Sequence, residues 1–207
     1  VIRMALAREL DIDFFDLIDS LTSLYEFLGD ELDIDRVKGF FTERLKADLR
    51  EEQKIAYDIV DAVAAASDGD FTRALRRARA LESIRTQEQF QSLVVAFERV
   101  CNITRKEQIT GEFDAELFHE DVERDLWKAV RKAEGQIEQL RPQENYSAIV
   151  EQLITLRAPI DRYFDEVLVM DPDEKIRQNR LGFLSHIVKL FAVVGDLSKI
   201  VVEGEAS

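Results

Sequence analysis

The stretch that decides the fold runs from Tyr163 to Ser198 and reads YFDEVLVMDPDEKIRQNRLGFLSHIVKLFAVVGDLS. Apolar residues recur at intervals of three and four from Ile176 to Val194, which predicts one long amphipathic helix. The triplet Asp171-Pro172-Asp173 predicts a turn and an N-cap before this helix, and Gly195-Asp196 predicts its end. Three large apolar side chains of the stretch are expected in the core: Phe164, Met170 and Phe191.

The same helical spacing continues on the N-terminal side, and no alternating segment long enough for a strand interrupts it. Further helices are predicted at residues 12–28, 33–49, 55–66, 70–85, 86–100, 114–140, 146–156 and 160–170. Asp33 and Asp70 are expected to cap two of them. Thr86 with Gln89 resembles a capping box, and Gly29 is expected to end the first helix. The sequence therefore predicts an all-α fold, a multi-helix bundle.

The charge balance of the chain bears on its partners. The 207 residues include 42 Asp and Glu against 28 Lys and Arg, a net charge of −14 at pH 7. Nonspecific binding to nucleic acid depends on Lys and Arg that neutralise phosphates, so this balance argues against a DNA-binding protein. Salt screens charges beyond about 8–10 Å, so a local basic patch for a specific RNA stays compatible with it.

The sequence also predicts where the chain works. No signal-peptide pattern opens it, and no run of 18 apolar residues could span a membrane. The single cysteine, Cys101, leaves no intrachain disulfide, which suits a reducing compartment. The chain begins inside a helical pattern at Val1 without an initiator Met, which suggests a segment of a longer protein. We therefore expect a cytoplasmic protein with no membrane contact.

Catalytic and metal-binding patterns are missing from the sequence. His119-Glu120 matches the start of a zinc-protease helix motif, but Glu123 stands where the second histidine is required. No glycine-rich phosphate loop occurs, and His186 is the only other histidine. Cys101 has apolar neighbours and is expected to be a buried packing residue rather than a nucleophile. We therefore predict no catalytic residue, no metal ligand and no cofactor in this chain.

Three stretches of the sequence carry a family resemblance. The first is FTERLKADLREEQKIAYDIVDAV at 41–63, and the second runs from Arg77 to Ile103 and ends AFERVCNI. The third is the opening stretch, with its strings VLVM, NRL and GDLS. Together they resemble the C-terminal anticodon-binding region of bacterial-type glycyl-tRNA synthetase beta subunits. The resemblance covers nearly the whole chain.

What this resemblance implies is a helical anticodon-binding domain of the class I (DALR) type. Residues 1–30 would be a linking helical segment, residues 31–202 the anticodon-binding domain, and residues 203–207 a disordered tail. The chain would bind the anticodon of tRNA(Gly) without catalysing a reaction. ATP and Mg²⁺ would belong to a separate alpha subunit, which performs the aminoacylation and is reached through the full-length beta chain. The acidic charge leaves a second hypothesis open, a helical protein–protein interaction module without RNA binding.

Seven residues are the candidates for contact with tRNA: Arg44, Arg77, Arg79, Arg99, Asn102, Asn179 and Arg180. Arginines can meet the phosphates and splayed bases of a single-stranded loop, and amides can read base edges. Arg180 lies in an otherwise apolar helix, so its charge needs a partner. It either faces the anticodon loop or forms, with Asn179, a buried polar tie to Asp165.

The other five candidates also have a structural interpretation. Arg77 and Arg79 could be solvated charges that balance nearby acids. Arg44 and Arg99, which match arginines of the family, could form ion pairs between helices. Asn102 could cap the C-terminus of its helix rather than read a base.

Overall fold

The computed structural model describes residues 1–27, 33–109 and 111–202. Within these ranges every regular element is a helix and none is a strand, which confirms the all-α prediction. None of these helices is long and apolar enough to cross a membrane. The predicted helix end at Gly29, the predicted domain boundary after residue 30 and the predicted tail at 203–207 lie outside the described residues.

The described residues form ten α-helices joined by short connections. In chain order they are α1 (Ile2–Ala7), α2 (Phe14–Phe27), α3 (Ile34–Glu51), α4 (Tyr57–Ala65), α5 (Phe71–Ile84), α6 (Glu88–Lys106), α7 (Asp121–Leu140), α8 (Tyr146–Ile154), α9 (Arg157–Glu166) and α10 (Glu174–Phe191). Three short 3₁₀ helices lie between or after them, at Ala115–Leu117, Arg141–Gln143 and Leu197–Lys199.

Acidic N-caps begin several of these helices, as the sequence predicts. The carboxylates of Asp33, Asp70 and Asp173 each accept a hydrogen bond from a backbone N–H in the first turn of α3, α5 and α10. The predicted capping box at Thr86 is wrong, because α6 begins at Glu88 and no side chain caps it.

The helix predicted over 114–140 is also shorter than expected. Its first residues form the 3₁₀ helix Ala115–Leu117, and α7 begins only at Asp121. The Glu123 side chain accepts from the backbone N–H of Glu120 at that point, which is one half of a capping box, and the Glu123 N–H donates to the Glu120 carbonyl. Glutamate is a less usual N-cap residue than Ser, Thr, Asp or Asn, so the sequence does not indicate that α7 begins here.

Helices α6 and α10 form the centre of the bundle and run antiparallel. Phe97 of α6 stacks on Phe191 of α10 with ring centroids 4.4 Å apart. Toward the other end of the pair, the Gln178 amide donates to the carbonyl of Gln108. Helices α8 and α9 pack on α6, and α7 packs on α8 and α9. Cys101 on α6 is buried as predicted, and burial raises the pKa of its thiol to about 11.

The apolar run that follows α9 does not continue the helix, contrary to the prediction over 160–170. Helix α9 ends at Glu166, and Val167 has extended backbone angles. Side chains alternate between two faces in an extended chain, so Val167 and Val169 are buried while Leu168 and Met170 are exposed. The prediction of a core position is therefore wrong for Met170, which is 43% exposed.

The two aromatic residues predicted for the core differ from each other. Phe191 is completely buried, as expected. Phe164 is only partly buried and packs against the edge of the core, whereas its neighbour Tyr163 is the completely buried member of the pair.

The N-terminal helices join the same core. Ile2 and Leu6 of α1 are buried, and α1 packs against α3 and α5. Phe14 of α2 stacks on Phe71 of α5 with ring centroids 4.8 Å apart. One continuous cluster of buried apolar residues therefore joins α1 to the 3₁₀ helix at Leu197–Lys199. The division into a linking segment and a domain stays a prediction.

Candidate nucleic-acid interface

Arg180 lies inside the bundle rather than on its surface. Its Nε donates to Glu123 Oε1 at 3.0 Å, and its Nη1 donates to the Leu168 carbonyl at 2.9 Å and to Asp171 Oδ2 at 3.1 Å. The side chain is 4% exposed, and that of Glu123 is 1% exposed. The predicted tie to Asp165 is wrong, because the buried partner is a carboxylate from the distant helix α7.

Glu123 receives hydrogen bonds from two directions and so joins several elements. Its Oε2 accepts from the backbone N–H groups of His119 at 2.9 Å and Glu120 at 2.8 Å. Burial alone would lower the pKa of Arg180, but the hydrogen bond and charge of Glu123 outweigh it and raise that pKa. Arg180 therefore stays charged and fastens the start of α7 to α10. This geometry gives it a structural role and does not present it to RNA.

Asn179 is also occupied within the fold. Its Oδ1 accepts from the backbone N–H of Asp114 at 2.7 Å, and its Nδ2 donates to the Asp114 carbonyl at 3.1 Å. The oxygen and the nitrogen of the Asn179 amide therefore both bond to the backbone of Asp114, and Asn179 is buried. Asn179 therefore holds the segment between α6 and α7 against α10.

Arg77 is the third candidate that the fold uses internally. It is 7% exposed, its Nη1 donates to the Ala66 carbonyl at 3.1 Å, and its guanidinium lies 5.6 Å from the ring centroid of Tyr146. Its Nη2 lies 3.6 Å from Asp68. Arg77 joins α5 to the end of α4 and to α8 and has little surface left for a ligand.

Arg44 and Arg79 are exposed on α3 and α5. Arg79 donates to the amide oxygen of Gln53 at 2.9 Å. Arg44 lines an open cavity of about 270 Å³ together with Phe40 and Phe41. Arg44 is exposed, and the interhelical ion pair suggested for it is not found among the residues that the structure describes.

Arg99 and Asn102 lie one turn apart on the exposed side of α6. The Arg99 guanidinium lies 4.7 Å from the ring centroid of Phe164, and its nitrogens are 3.9 Å from Asp161 and 4.0 Å from Asp165. At 45% exposure these ion pairs contribute little to stability. Asn102 is exposed and precedes the last turn of α6, which ends at Lys106. Its role as a cap or as a base reader stays a prediction.

The seven candidates therefore separate into two groups. Three are buried and used by the fold: Arg77, Asn179 and Arg180. Four are exposed: Arg44, Arg79, Arg99 and Asn102. The exposed ones lie on three different helices, and only Arg99 and Asn102 share one. Their contact with tRNA stays a prediction.

Sequence reasoning missed a cavity between α7 and α10. It has a volume of about 360 Å³, and we call it the Trp127 pocket after the only tryptophan in the chain. Its walls include Phe113, Trp127, Ser185, His186 and Lys189. The Trp127 ring is half-buried and meets the Phe113 and His186 rings edge to face, at centroid distances of 5.0 and 5.6 Å.

Cations lie on both helices that border this pocket, and the lining itself holds one cation, Lys189, and one carboxylate, Glu112. The Arg131 guanidinium lies 5.4 Å from the Trp127 ring centroid. Lys128, Arg131 and Lys132 are exposed on α7, Lys189 is exposed on α10, and none of the four has an ion pair within the part of the chain that the structure describes. The signal in the sequence is a tryptophan followed by cations at one, four and five residues, a spacing that places them on adjoining faces of one helix.

The described residues give little support for a metal site or a catalytic nucleophile. No group of three or more His, Cys, Asp or Glu side chains among them could hold a metal ion. His186 Nε2 lies 2.5 Å from Glu134 Oε1 and so is hydrogen-bonded to a side chain of α7. Cys101 is buried, and its raised pKa opposes formation of a thiolate nucleophile.

Comparison with known proteins also indicates an anticodon-binding domain. A family model described as the DALR anticodon binding domain matches residues 93–200, just over half of the chain and the part that contains the Trp127 pocket. Three relatives are named glycine–tRNA ligase beta subunit. That of Acidobacterium capsulatum is 35% identical over 81% of this chain and 25% of its own length.

The other two relatives align with almost all of the chain. That of Thermotoga neapolitana is 35% identical over 97% of this chain and 29% of its own length, and that of an Anaeromyxobacter species is 32% identical over 100% and 30%. The chain therefore spans between a quarter and about three tenths of these relatives. From the extent of the family match and the all-helical fold, the chain belongs to the DALR anticodon binding domain family.

Proposed function

We propose that this chain is the anticodon-recognition module of a glycine–tRNA ligase beta subunit. The observation that carries the proposal is the family match at 93–200 together with relatives of that name that align along the whole chain. The module would bind tRNA(Gly) and hold its anticodon loop while another part of the ligase attaches glycine to the other end of the tRNA.

The division of labour belongs to the same proposal. The polar groups buried in this chain are engaged in holding helices together, so contact with RNA would come from its exposed side chains. ATP and Mg²⁺ are then needed at the alpha subunit, which this chain reaches through the rest of the beta chain. The proposed location is the cytoplasm, where tRNA is aminoacylated.

A binding experiment tests the proposal directly. Filter binding of the purified chain would compare tRNA(Gly) with the same tRNA carrying substituted anticodon cytosines, over a series of salt concentrations. We expect tighter binding to the native anticodon, and log K that falls linearly with log salt because cations are released from phosphates. Equal affinity for both tRNAs would exclude anticodon recognition. Absence of binding at every salt concentration would favour the protein–protein interaction module instead.

A second measurement tests the division of labour. Glycine-dependent exchange of pyrophosphate into ATP should be absent with this chain alone and should appear only when the alpha subunit is added. Exchange by the chain alone would contradict the proposal.

A further inference from the structure

The Trp127 pocket is built from three separate segments of the chain. Helix α7 supplies Trp127, helix α10 supplies Ser185, His186 and Lys189, and the connection before α7 supplies Phe113. The connection can lie this close to α10 because residue 182 is glycine. A Cβ on Gly182 would come within 3.1 Å of the Phe113 nitrogen and 3.2 Å of the Gly111 carbonyl oxygen.

The lining of the pocket combines an aromatic surface with hydrogen-bonding groups. Trp127 is held by Phe113, Phe183 and His186, whose rings lie nearly perpendicular to it at centroid distances of 5.0, 6.0 and 5.6 Å. The walls also carry the Ser185 hydroxyl, the Lys189 ammonium and the Glu112 carboxylate. A cavity of about 360 Å³ with an aromatic wall and a few polar groups falls in the range of small-molecule sites.

The charges around the pocket select the class of ligand. The chain has a net charge of −14, yet Lys189 lines the pocket, Arg131 lies beside Trp127, and Lys128 and Lys132 are exposed on the same helix as Trp127, all four without an ion pair in the described ranges. Unpaired cations beside an aromatic ring are the combination by which proteins hold single-stranded nucleic acid: the cations follow the phosphates and the ring meets the π-face of a base. A neutral apolar ligand would leave these four charges unused.

We propose that the Trp127 pocket receives one unpaired nucleobase of the tRNA, with Lys128, Arg131 and Lys132 contacting the adjacent phosphates. The inference rests on the proposed function, since it assigns a place on this chain where the anticodon loop docks. The Arg131 guanidinium lies 5.4 Å from the Trp127 ring centroid, close enough to contact a base bound beside that ring. His186 is held in place by Glu134, so it forms a fixed wall of the pocket.

The only tryptophan of the chain provides a direct probe of this contact. Because no other tryptophan contributes, intrinsic tryptophan fluorescence reports on the pocket alone. The chain would be titrated with tRNA(Gly) while fluorescence and filter binding are followed in parallel. We expect saturable quenching with the same dissociation constant as filter binding, and smaller quenching with a tRNA whose anticodon-loop bases are made abasic.

Charge-reversal variants test the cations around the pocket. We expect Lys189→Glu and Lys132→Glu each to weaken tRNA binding at least about fivefold and to lower the salt slope by about 1. Lys54→Glu is the matched control, because Lys54 is exposed in the turn before α4 and lies outside the residues matched by the family. It makes the same change in net charge and should alter affinity less than about twofold.

A pair of glycine variants tests the shape of the pocket without changing charge. Gly182→Ala places a methyl group against the Gly111–Phe113 backbone and should disturb the pocket wall. Gly135→Ala is its control, because Gly135 is exposed on α7 and a Cβ there would meet nothing within 4 Å. We expect Gly182→Ala to reduce the fluorescence quenching and the affinity, and Gly135→Ala to leave both unchanged, with circular dichroism confirming that both variants are helical.

The possible outcomes separate this inference from the proposed function. If tRNA(Gly) binds with anticodon preference but neither quenches Trp127 nor responds to Lys189→Glu, the pocket is not the docking place and the proposed function stands. If tRNA does not bind at all, the proposed function fails and the inference fails with it. If Lys54→Glu weakens binding as much as Lys189→Glu, the effect is one of net charge and the pocket assignment is overturned.

Discussion

Two of the cations on helix α10 lie in opposite environments. Arg180, in its N-terminal half, is buried and donates to Glu123, Asp171 and the Leu168 carbonyl. Lys189, near its C-terminal end, is exposed and has no ion pair among the described residues. The first cation cannot leave its partners without leaving charges buried, whereas the second can accept a phosphate at almost no cost.

This difference shows which arginines and lysines of an acidic protein are available to RNA. Where carboxylates outnumber cations, a cation at a helix contact readily finds a carboxylate and becomes part of the fold. Other cations have no ion pair among the described residues, and two of these, Arg131 and Lys189, lie beside the one tryptophan. Matching a family motif by sequence, as for Asn179-Arg180, does not separate these two cases.

The largest expected effect comes from breaking the buried pair. Glu123→Ala removes the carboxylate that accepts from Arg180 and from two backbone N–H groups at the start of α7. An unpaired charge would remain in the interior, so we expect the free energy of unfolding to fall by about 3–5 kcal/mol. Urea unfolding followed by circular dichroism measures it.

Asp125→Ala is the matched control for this variant. Asp125 lies on the same helix and pairs with Arg162 at 3.0 Å, but both side chains are more than half exposed. We expect a loss of no more than about 1 kcal/mol, the usual range for a surface pair. Similar losses of unfolding free energy in Glu123→Ala and Asp125→Ala would show that the Arg180 pair is solvated. Arg180 would then not differ from Lys189 as a buried cation differs from an exposed one.

Local chemistry accounts for the parts of the fold that the sequence predicted. The caps at Asp33, Asp70 and Asp173 depend on residues within one turn, so their positions can be deduced from spacing alone. The buried partner of Arg180, Glu123, is 57 residues away, and no spacing rule connects the two. Asp165 is closer to Arg180 in sequence than Glu123 is, but it lies on α9 with its side chain in solvent; of the nearby carboxylates, Arg180 contacts Asp171 instead.

A smaller effect is expected at the edge of the core, where a cation covers an aromatic ring. Phe164 is only partly buried, and the Arg99 guanidinium lies over it. We expect Phe164→Ala to lower the free energy of unfolding by about 1–2 kcal/mol, less than the roughly 3–5 kcal/mol usual for a buried Phe. Phe97→Ala supplies that comparison, since Phe97 is 1% exposed. Equal losses in the two variants would place Phe164 in the core, as its sequence context suggests.

The Trp127 pocket could not be predicted from the sequence, for a physical reason. Its walls come from residues 111–113, from α7 and from α10, so no single helix pattern contains it. A lone tryptophan at helical spacing, such as Trp127, is usually a core residue. It faces a cavity here because Gly182 lets an irregular segment approach α10. The helix predicted over 160–170 was too long for a related reason. The apolar content of 167–170 suits a helix, but the chain leaves the helix at Val167 and every second side chain of the run is exposed.

The smallest expected effect concerns a hydroxyl beside the Arg180 pair. Tyr163 is completely buried, and its Oη has no hydrogen-bond partner among the residues that the structure describes. Burial raises its pKa, and the nearby Glu123 carboxylate raises it further. Because removing an unpaired buried hydroxyl loses no hydrogen bond, we expect Tyr163→Phe to change the free energy of unfolding at pH 7 by less than about 1 kcal/mol, with stabilisation the favoured sign.

The pH dependence of the same variant makes the prediction sharper. An unfolded tyrosine ionises near pH 10, whereas the folded Tyr163 stays protonated at that pH because its pKa is raised. Its contribution to stability is therefore complete below about pH 10 and is lost as the pH rises above it. The phenylalanine variant has no proton to lose, so its advantage over the native protein should grow above pH 10 in urea melts. A loss of more than about 1 kcal/mol at pH 7 would instead mean that the hydroxyl has a partner, such as an ordered water, that belongs to the Glu123–Arg180 network.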